Sequence, residues 1–141
     1  MTQWILDTDH VSAILRGNRS ALKQAAVHYP NAYITIVTVQ ELFNGWNGKL
    51  NQTNNSAELV RLYKKLADTV AFIKRVEVLD FDTSAEQIYA SLRQQPQLSK
   101  KRVDKDLRIA SIALSQSAVM VTRNYRDFSL IPNLNLQNWI E

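Results

Sequence analysis

Asp7, Glu41, Asp106 and Asp127, with Asn124 beside the last, each stand at the end of a short β-branched run or at the start of the helical segment nearby. Ligands of parallel α/β sheets bind at the carboxyl ends of the strands, so polar residues at those points are the first candidates for chemistry. Asp7 directly follows Trp4-Ile-Leu6. Within Asp7-Thr8-Asp9-His10 either acid can cap the next helix, which leaves one to spare. Glu41 lies in Thr38-Val-Gln-Glu41-Leu-Phe-Asn-Gly45, where Thr38 and Glu41 have the spacing of a capping box and Gly45 leaves the surface beside Glu41 open. Helical period separates the next two acids. Asp104 shares a face with Arg108, Ser111 and Ser115 and reads as solvated, whereas Asp106 aligns with Ile109, Ala110 and Ala113 and is aimed at the sheet. A carboxylate on an apolar face needs a charge partner or a metal. In Val121-Thr122-Arg-Asn124-Tyr-Arg-Asp127-Phe128, Asn124 and Asp127 have an alternative use as turn and cap residues. Collectively, these groups gather oxygen donors on one sheet edge, and without Cys or a His cluster such a set suits Mg²⁺ or Mn²⁺.

The elements that must position them follow from periodicity. Trp4–Leu6, Tyr33–Val37, Val76–Leu79 and Ala118–Val121 read as buried strands. Residues 10–28, 39–48, 57–75, 84–95 and 105–117 repeat apolar side chains at three and four and read as helices. Strands alternating with helices predict an α/β fold with a parallel sheet between helical layers. The polar run 49–56 reads as a loop between two helices with no strand between them, which predicts a helical hairpin protruding from the sheet. Its face Phe43, Trp46, Leu50, Leu59 and Tyr63 suits either internal packing or a homodimer or partner interface.

Composition excludes several classes. A chain of 141 residues, 45% hydrophobic, with three Gly and three Pro and no repeat or linker, is expected to be one domain spanning 1–141. The absence of Cys rules out a disulfide framework and a thiolate metal site, and suits a reducing, cytoplasmic setting. No apolar run approaches the roughly 20 residues of a membrane span, and no export signal is expected. Seventeen Lys and Arg against thirteen Asp and Glu favour an anionic partner. If four acids belong to one pocket, nine face those seventeen cations elsewhere, so an acidic centre sits in a distinctly basic surround.

Together these residues resemble the PIN-domain family, more narrowly the VapC-type toxins of bacterial toxin–antitoxin pairs. The resemblance is carried by Leu6-Asp7-Thr8-Asp9 with Ser12, Val39-Gln-Glu41-Leu42 with Gly45, Asp106-Leu-Arg-Ile109-Ala110 with Ile112-Ala113-Leu114, and Val121-Thr122-Arg-Asn124 with Asp127-Phe128. The closing Ile131-Pro-Asn-Leu-Asn-Leu with Trp139 is similar to the family's last strand, so the likeness covers essentially the whole chain. It implies a three-layer α/β/α fold, a Mg²⁺- or Mn²⁺-dependent endoribonuclease acting on single-stranded or structured RNA, a cognate DNA-binding antitoxin and a homodimeric toxin. By position, Asp7, Glu41 and Asp106 match the three core acids of the family. The fourth falls to Asn124 or Asp127, and a Gly frequent before the third acid is replaced here by Lys101-Arg-Val-Asp-Lys105.

On that resemblance Asp7 and Asp106 bind the ion, Glu41 orients or deprotonates its water, and Asn124 or Asp127 completes the set. Four acids together imply raised carboxylate pKa values. Thr8, Ser12 and Thr122 are expected to orient the carboxylates. Arg123, Arg126, Lys100 and Lys101, with Arg102, are expected to hold RNA phosphates. Tyr125 suits either stacking or packing, and the pairs Lys64-Lys65 and Lys74-Arg75 read as solvated charge. Two other readings stand beside this one. The first is a metal-independent ribonuclease built on His10 and His28, and the second is a non-catalytic binding module whose acids are caps.

Overall fold

A computed structural model describes residues 1–140. Five strands, β1 (Trp4–Leu6), β2 (Ala32–Thr35), β3 (Glu77–Leu79), β4 (Val119–Val121) and β5 (Asn135–Gln137), form one sheet in the order β3-β2-β1-β4-β5, every pair parallel. Parallel strands need crossovers, and the helices supply them: α1 (Thr8–Leu15), α2 (Arg19–His28), α3 (Ile36–Gln52), α4 (Ser56–Ile73), α5 (Thr83–Leu92), α6 (Asp104–Ser115) and the short α7 (Tyr125–Phe128).

The strand period of two divides the core between two helical layers. Ile5, Tyr33, Leu79, Met120 and Leu136 point to one side and pack with Ala85 and Leu92 of α5 and with Leu107, Ile109, Ala110, Ile112 and Ala113 of α6. Their neighbours Leu6, Ile34, Val78 and Val121 point to the other, against Val11 of α1, Leu42 of α3 and Phe72 and Ile73 of α4. The result is the expected α/β/α sandwich with β1 at its centre, where Ile5 is fully buried. Among the described residues no helix is long and apolar enough to cross a membrane.

Several boundaries depart from the sequence-based expectations, the helix expected over 84–95 ending at Leu92, and three of the departures bear on the site. The helix expected over 10–28 is broken at Gly17, whose φ of +85° closes α1 with its N–H donating to the Ile14 carbonyl, after which the Asn18 side chain caps α2. The strand expected to reach Val37 ends at Thr35, because the Thr35 hydroxyl accepts the Thr38 N–H and starts α3 there. Thr35, not Thr38, is therefore the cap, and the capping-box reading of Glu41 fails. Finally, the loop expected over 49–56 shrinks to 53–55, since α3 continues through Gln52 and Asn55 caps α4. The longer helices form the expected hairpin, tied by Trp46 Nε1, which donates to Thr69 Oγ1 at 2.9 Å. Of the five residues expected on its face, Phe43, Trp46, Leu50 and Leu59 are half-buried and Tyr63 is exposed.

Candidate active site

Asp7 begins where β1 stops. Its N–H still pairs with the Val121 carbonyl of β4, so the backbone holds it at the sheet edge while its side chain turns to cap α1. Oδ1 accepts the His10 N–H at 2.8 Å and the His10 ring Nδ1 at 3.0 Å. The other ring nitrogen, Nε2, accepts the Trp139 backbone N–H at 3.1 Å, so the proton must reside on Nδ1. Asp7 is thereby clamped through one oxygen, and Oδ2 is uncommitted among the described residues. Asp9, the other candidate cap, is left exposed in the first turn.

Glu41 sits in the second turn of α3, where no capping duty holds it. The Thr8 hydroxyl donates to Glu41 Oε1 at 2.7 Å, and with its one proton committed there Thr8 must accept from Thr38 at 3.1 Å. A relay Thr38 to Thr8 to Glu41 thus joins the ends of β1 and β2, and it explains why the buried Thr38 is polar.

Asp106 lies in the first turn of α6, facing inward as its period predicts. Burial first, and then the charges of Glu41, Asp7, Asp127 and Asp9, push its carboxyl up to about 7. Asp104 is less solvated than its spacing suggested: it accepts from the Tyr89 hydroxyl and from Arg108 at 2.6 Å, while Ser111 on the same stripe is wholly buried.

These residues meet in a cleft of about 510 Å³, whose lining combines Asp7, Thr8, Asp9, Glu41, Asp104, Asp106 and Asn124 with the cations Lys101, Arg102, Lys105 and Arg108. Asn124 caps α7 and donates through Nδ2 to Asp127 Oδ2 at 3.0 Å. Asp127 stands behind it, outside the cleft lining, and Arg102 at 2.9 Å holds its carboxyl below the ordinary value. Thr122 is fully buried and accepts the Asn124 N–H at 3.0 Å, fixing the turn that carries Asn124. Ser12 lines a neighbouring groove instead. Lys100, Arg123 and Arg126 are exposed but do not line the cleft, and Tyr125 is 45% exposed.

Among the described residues no three Asp, Glu or His side chains stand close enough to grip one ion. The chemistry of the donor set nevertheless fits a hard divalent cation. Every ligand candidate is an oxygen, and burial together with the neighbouring acids, which push the Asp106 carboxyl up to about 7, leaves a place where a cation's charge would be favourable. The histidine-based alternative does not fit. Both nitrogens of the fully buried His10 are occupied, and the His28 ring lies between Trp4 and Trp139, with centroids at 4.0 and 4.9 Å.

Spacing alone missed several groups around the cleft. Lys105 and Arg108 lie on the helix that carries Asp106, one turn apart. Arg16, Lys49, Arg61 and Lys65 line the groove that shares Thr8 and Glu41 with the cleft. Of the pair read as solvated charge, Lys64 reaches Asp68 at 2.7 Å while Lys65 turns into this groove. The available signal was Lys49, four residues beyond Gly45 on the open side of α3.

No protein-family profile matches the chain. It is 28% identical to the tRNA(fMet)-specific endonuclease VapC of Salmonella typhimurium over 143 positions, 99% of both chains. It is 39% identical to ribonuclease VapC2 of Rickettsia felis over 71 residues, which is 48% of this chain and 52% of that one. Among solved structures, DNA-bound VapBC from Salmonella typhimurium superposes with a TM-score of 0.80 at 26% identity, covering 99% of each chain.

Proposed function

We propose, for a chain that belongs to the VapC-type PIN-domain ribonuclease toxins, that this cleft hydrolyses phosphodiester bonds of single-stranded RNA with the help of Mg²⁺ or Mn²⁺. The observation that carries the reading is the meeting of Asp7, Glu41 and Asp106 in one cleft, with Asp106 raised to about 7 by burial and its acidic neighbours. A bound divalent ion supplies positive charge that acidifies water and offsets the charge developing on the phosphoryl oxygens during in-line displacement.

The chain's own residues divide the remaining work. Asp7 and Asp106 would hold the ion, Asp7 through the oxygen that His10 leaves uncommitted. Glu41, steadied at Oε1 by Thr8, keeps Oε2 to orient the attacking water and receive its proton. We place Asn124 in the fourth position because it lines the cleft, with Asp127 holding its amide. Lys101, Arg102, Lys105 and Arg108 supply the positive wall for the phosphates on either side of the scissile one. Cleavage of cellular RNA would block translation and growth.

Relatives occur in VapBC assemblies, and by the same reading a cognate antitoxin restrains this chain. A second copy would cover the exposed stripe Val60, Tyr63, Ala67 and Val70 on α4, whose spacing of three and four keeps it on one helix face. The test of the activity is cleavage of a mixed pool of single-stranded RNA oligonucleotides by wild type and Asp106→Asn, in Mg²⁺, Mn²⁺ or EDTA. Cleavage by wild type in either metal alone supports the reading. Equal cleavage in EDTA, or by the variant, overturns it.

A further inference from the structure

The groove beside the cleft has a composition that catalysis at the acids does not explain. It encloses about 420 Å³ between α1, α3 and α4, and is lined by Arg16, Lys49, Arg61 and Lys65 together with Gly45 and Trp46. Thr8 and Glu41 belong to both its lining and that of the cleft, so the two are continuous. Arg61 is engaged by Glu58, whereas among the described residues Arg16, Lys49 and Lys65 have no acidic partner. Three cations outside any ion pair, Lys49 near enough to Glu58 to lower its carboxyl, therefore line a groove next to a carboxylate-rich centre. The indole of Trp46 is half-buried and held by its bond to Thr69, and the Lys49 ammonium lies 5.0 Å from the ring centroid. An added Cβ at Gly45 would meet nothing within 4 Å, so the helix surface there is bare and open to a bulky occupant.

We propose that this groove is a subsite for the RNA strand on one side of the scissile phosphate, a path from Glu41 along α3 to Lys49. It rests on the reading of the cleft as a ribonuclease. The two residues are eight apart, about 12 Å along a helix, which is room for roughly two or three nucleotides. Arg16, Lys49 and Lys65 contact successive phosphates, and the edge of Trp46 meets a base. Of the cations expected from sequence, Lys101 and Arg102 line the cleft while Arg123, Arg126 and Lys100 lie outside both linings, so the strand leaves the cleft along the hairpin and not by the α7 turn. In this chain the hairpin is thus a substrate-positioning element as well as a helical protrusion.

The test compares wild type with the triple variant Arg16→Gln/Lys49→Gln/Lys65→Gln. A control of equal charge, Lys23→Gln/Lys74→Gln/Arg75→Gln, removes three exposed cations elsewhere. Binding of a fluorescein-labelled twelve-nucleotide single-stranded RNA of mixed sequence is read by anisotropy in EDTA across a salt series, and cleavage of the same RNA is followed in Mn²⁺. Losing three phosphate contacts should lower the slope of log affinity against log salt by about 2 and weaken binding at least ~10-fold at low salt, with little change in the control. KM rises in the groove variant while kcat is retained. Equal losses in the two variants, or an unchanged slope and KM in the groove variant, overturn the proposal while leaving the nuclease reading intact. A wild type that neither binds nor cleaves RNA overturns both. A deca-glutamate peptide is run in parallel. If its binding depends on the groove cations and RNA binding does not, an acidic protein segment is the occupant and the proposal fails.

Discussion

Replacing Asp106 by Asn should make the metal-free protein more stable at alkaline pH, although it removes a group central to the cleft. Asp106 has an ordinary value of 3.8 in an unfolded chain and about 7 in the folded one, so the folded state holds the proton more tightly. The stability this contributes is complete below pH ~4 and is lost as pH rises to about 7. At 1.36 kcal/mol per pH unit the interval is worth about 4 kcal/mol; water still reaches part of the carboxyl, so screening reduces the expected effect to roughly 2 kcal/mol. Asp127 does not confuse this window. Arg102 and Asn124 lower its pKa, so its contribution is present above the ordinary value and is lost only in more acid solution. Urea unfolding of wild type and Asp106→Asn in EDTA at pH 4.5, 6 and 8 is the assay. The variant should exceed wild type by a gap that is smallest at the lowest pH, about a quarter of its full size, and that reaches roughly 2 kcal/mol at pH 8, a melting difference of about 4–8 °C. Adding Mn²⁺ at pH 8 should stabilise wild type and narrow that gap. A gap that stays constant with pH, or shrinks as pH rises, would refute the idea that crowded acids and burial dominate the cleft.

His10→Phe keeps the ring but forfeits the bonds to Asp7 and Trp139, and a buried Trp139 N–H without a partner should cost about 1–3 kcal/mol in a urea titration. Because the ring's half of the clamp on Asp7 is lost, the backbone N–H of residue 10 remaining, and no proton carrier is removed, cleavage should fall about 10-fold with a weaker Mn²⁺ dependence and an unmoved pH profile; loss of one limb of that profile would restore the histidine reading. Gly45→Ala should stabilise α3 by about 1 kcal/mol in thermal melts, since the new methyl meets nothing. A destabilised variant would show that the groove wall is closer than it stands here.

Much of the fold was legible because its signals are local. Ile5 and Leu6, or Met120 and Val121, needed only alternation and β-branching to be read as buried strand, and Asp106 needed only the helical period to be turned inward. Element ends were less legible. Thr35 and Thr38 are equally good caps by type, and only the Thr35 hydroxyl meeting the Thr38 N–H decides between them. The same holds for the hairpin, where polar residues 49–52 have no local reason to end a helix once Trp46 and Thr69 tie its arms.

The sequence by itself determined the set of oxygen donors, the parallel α/β class and the strand ends at which the acids emerge, because residue type and periodicity are properties of neighbours along the chain. The tertiary structure decided which donors share a cavity. Asn124 lines the cleft and Asp127 is drawn back to Arg102, a choice set by a bond between residues 25 apart. It also decided that His10 is a clamp, since Trp139, at the far end of the chain, takes the nitrogen that acid–base chemistry would need. The grouping of the cations was likewise set in three dimensions. Arg16 at the end of α1, Lys49 on α3 and Lys65 on α4 have no common spacing, and only the packing of α1 against the hairpin makes them one groove.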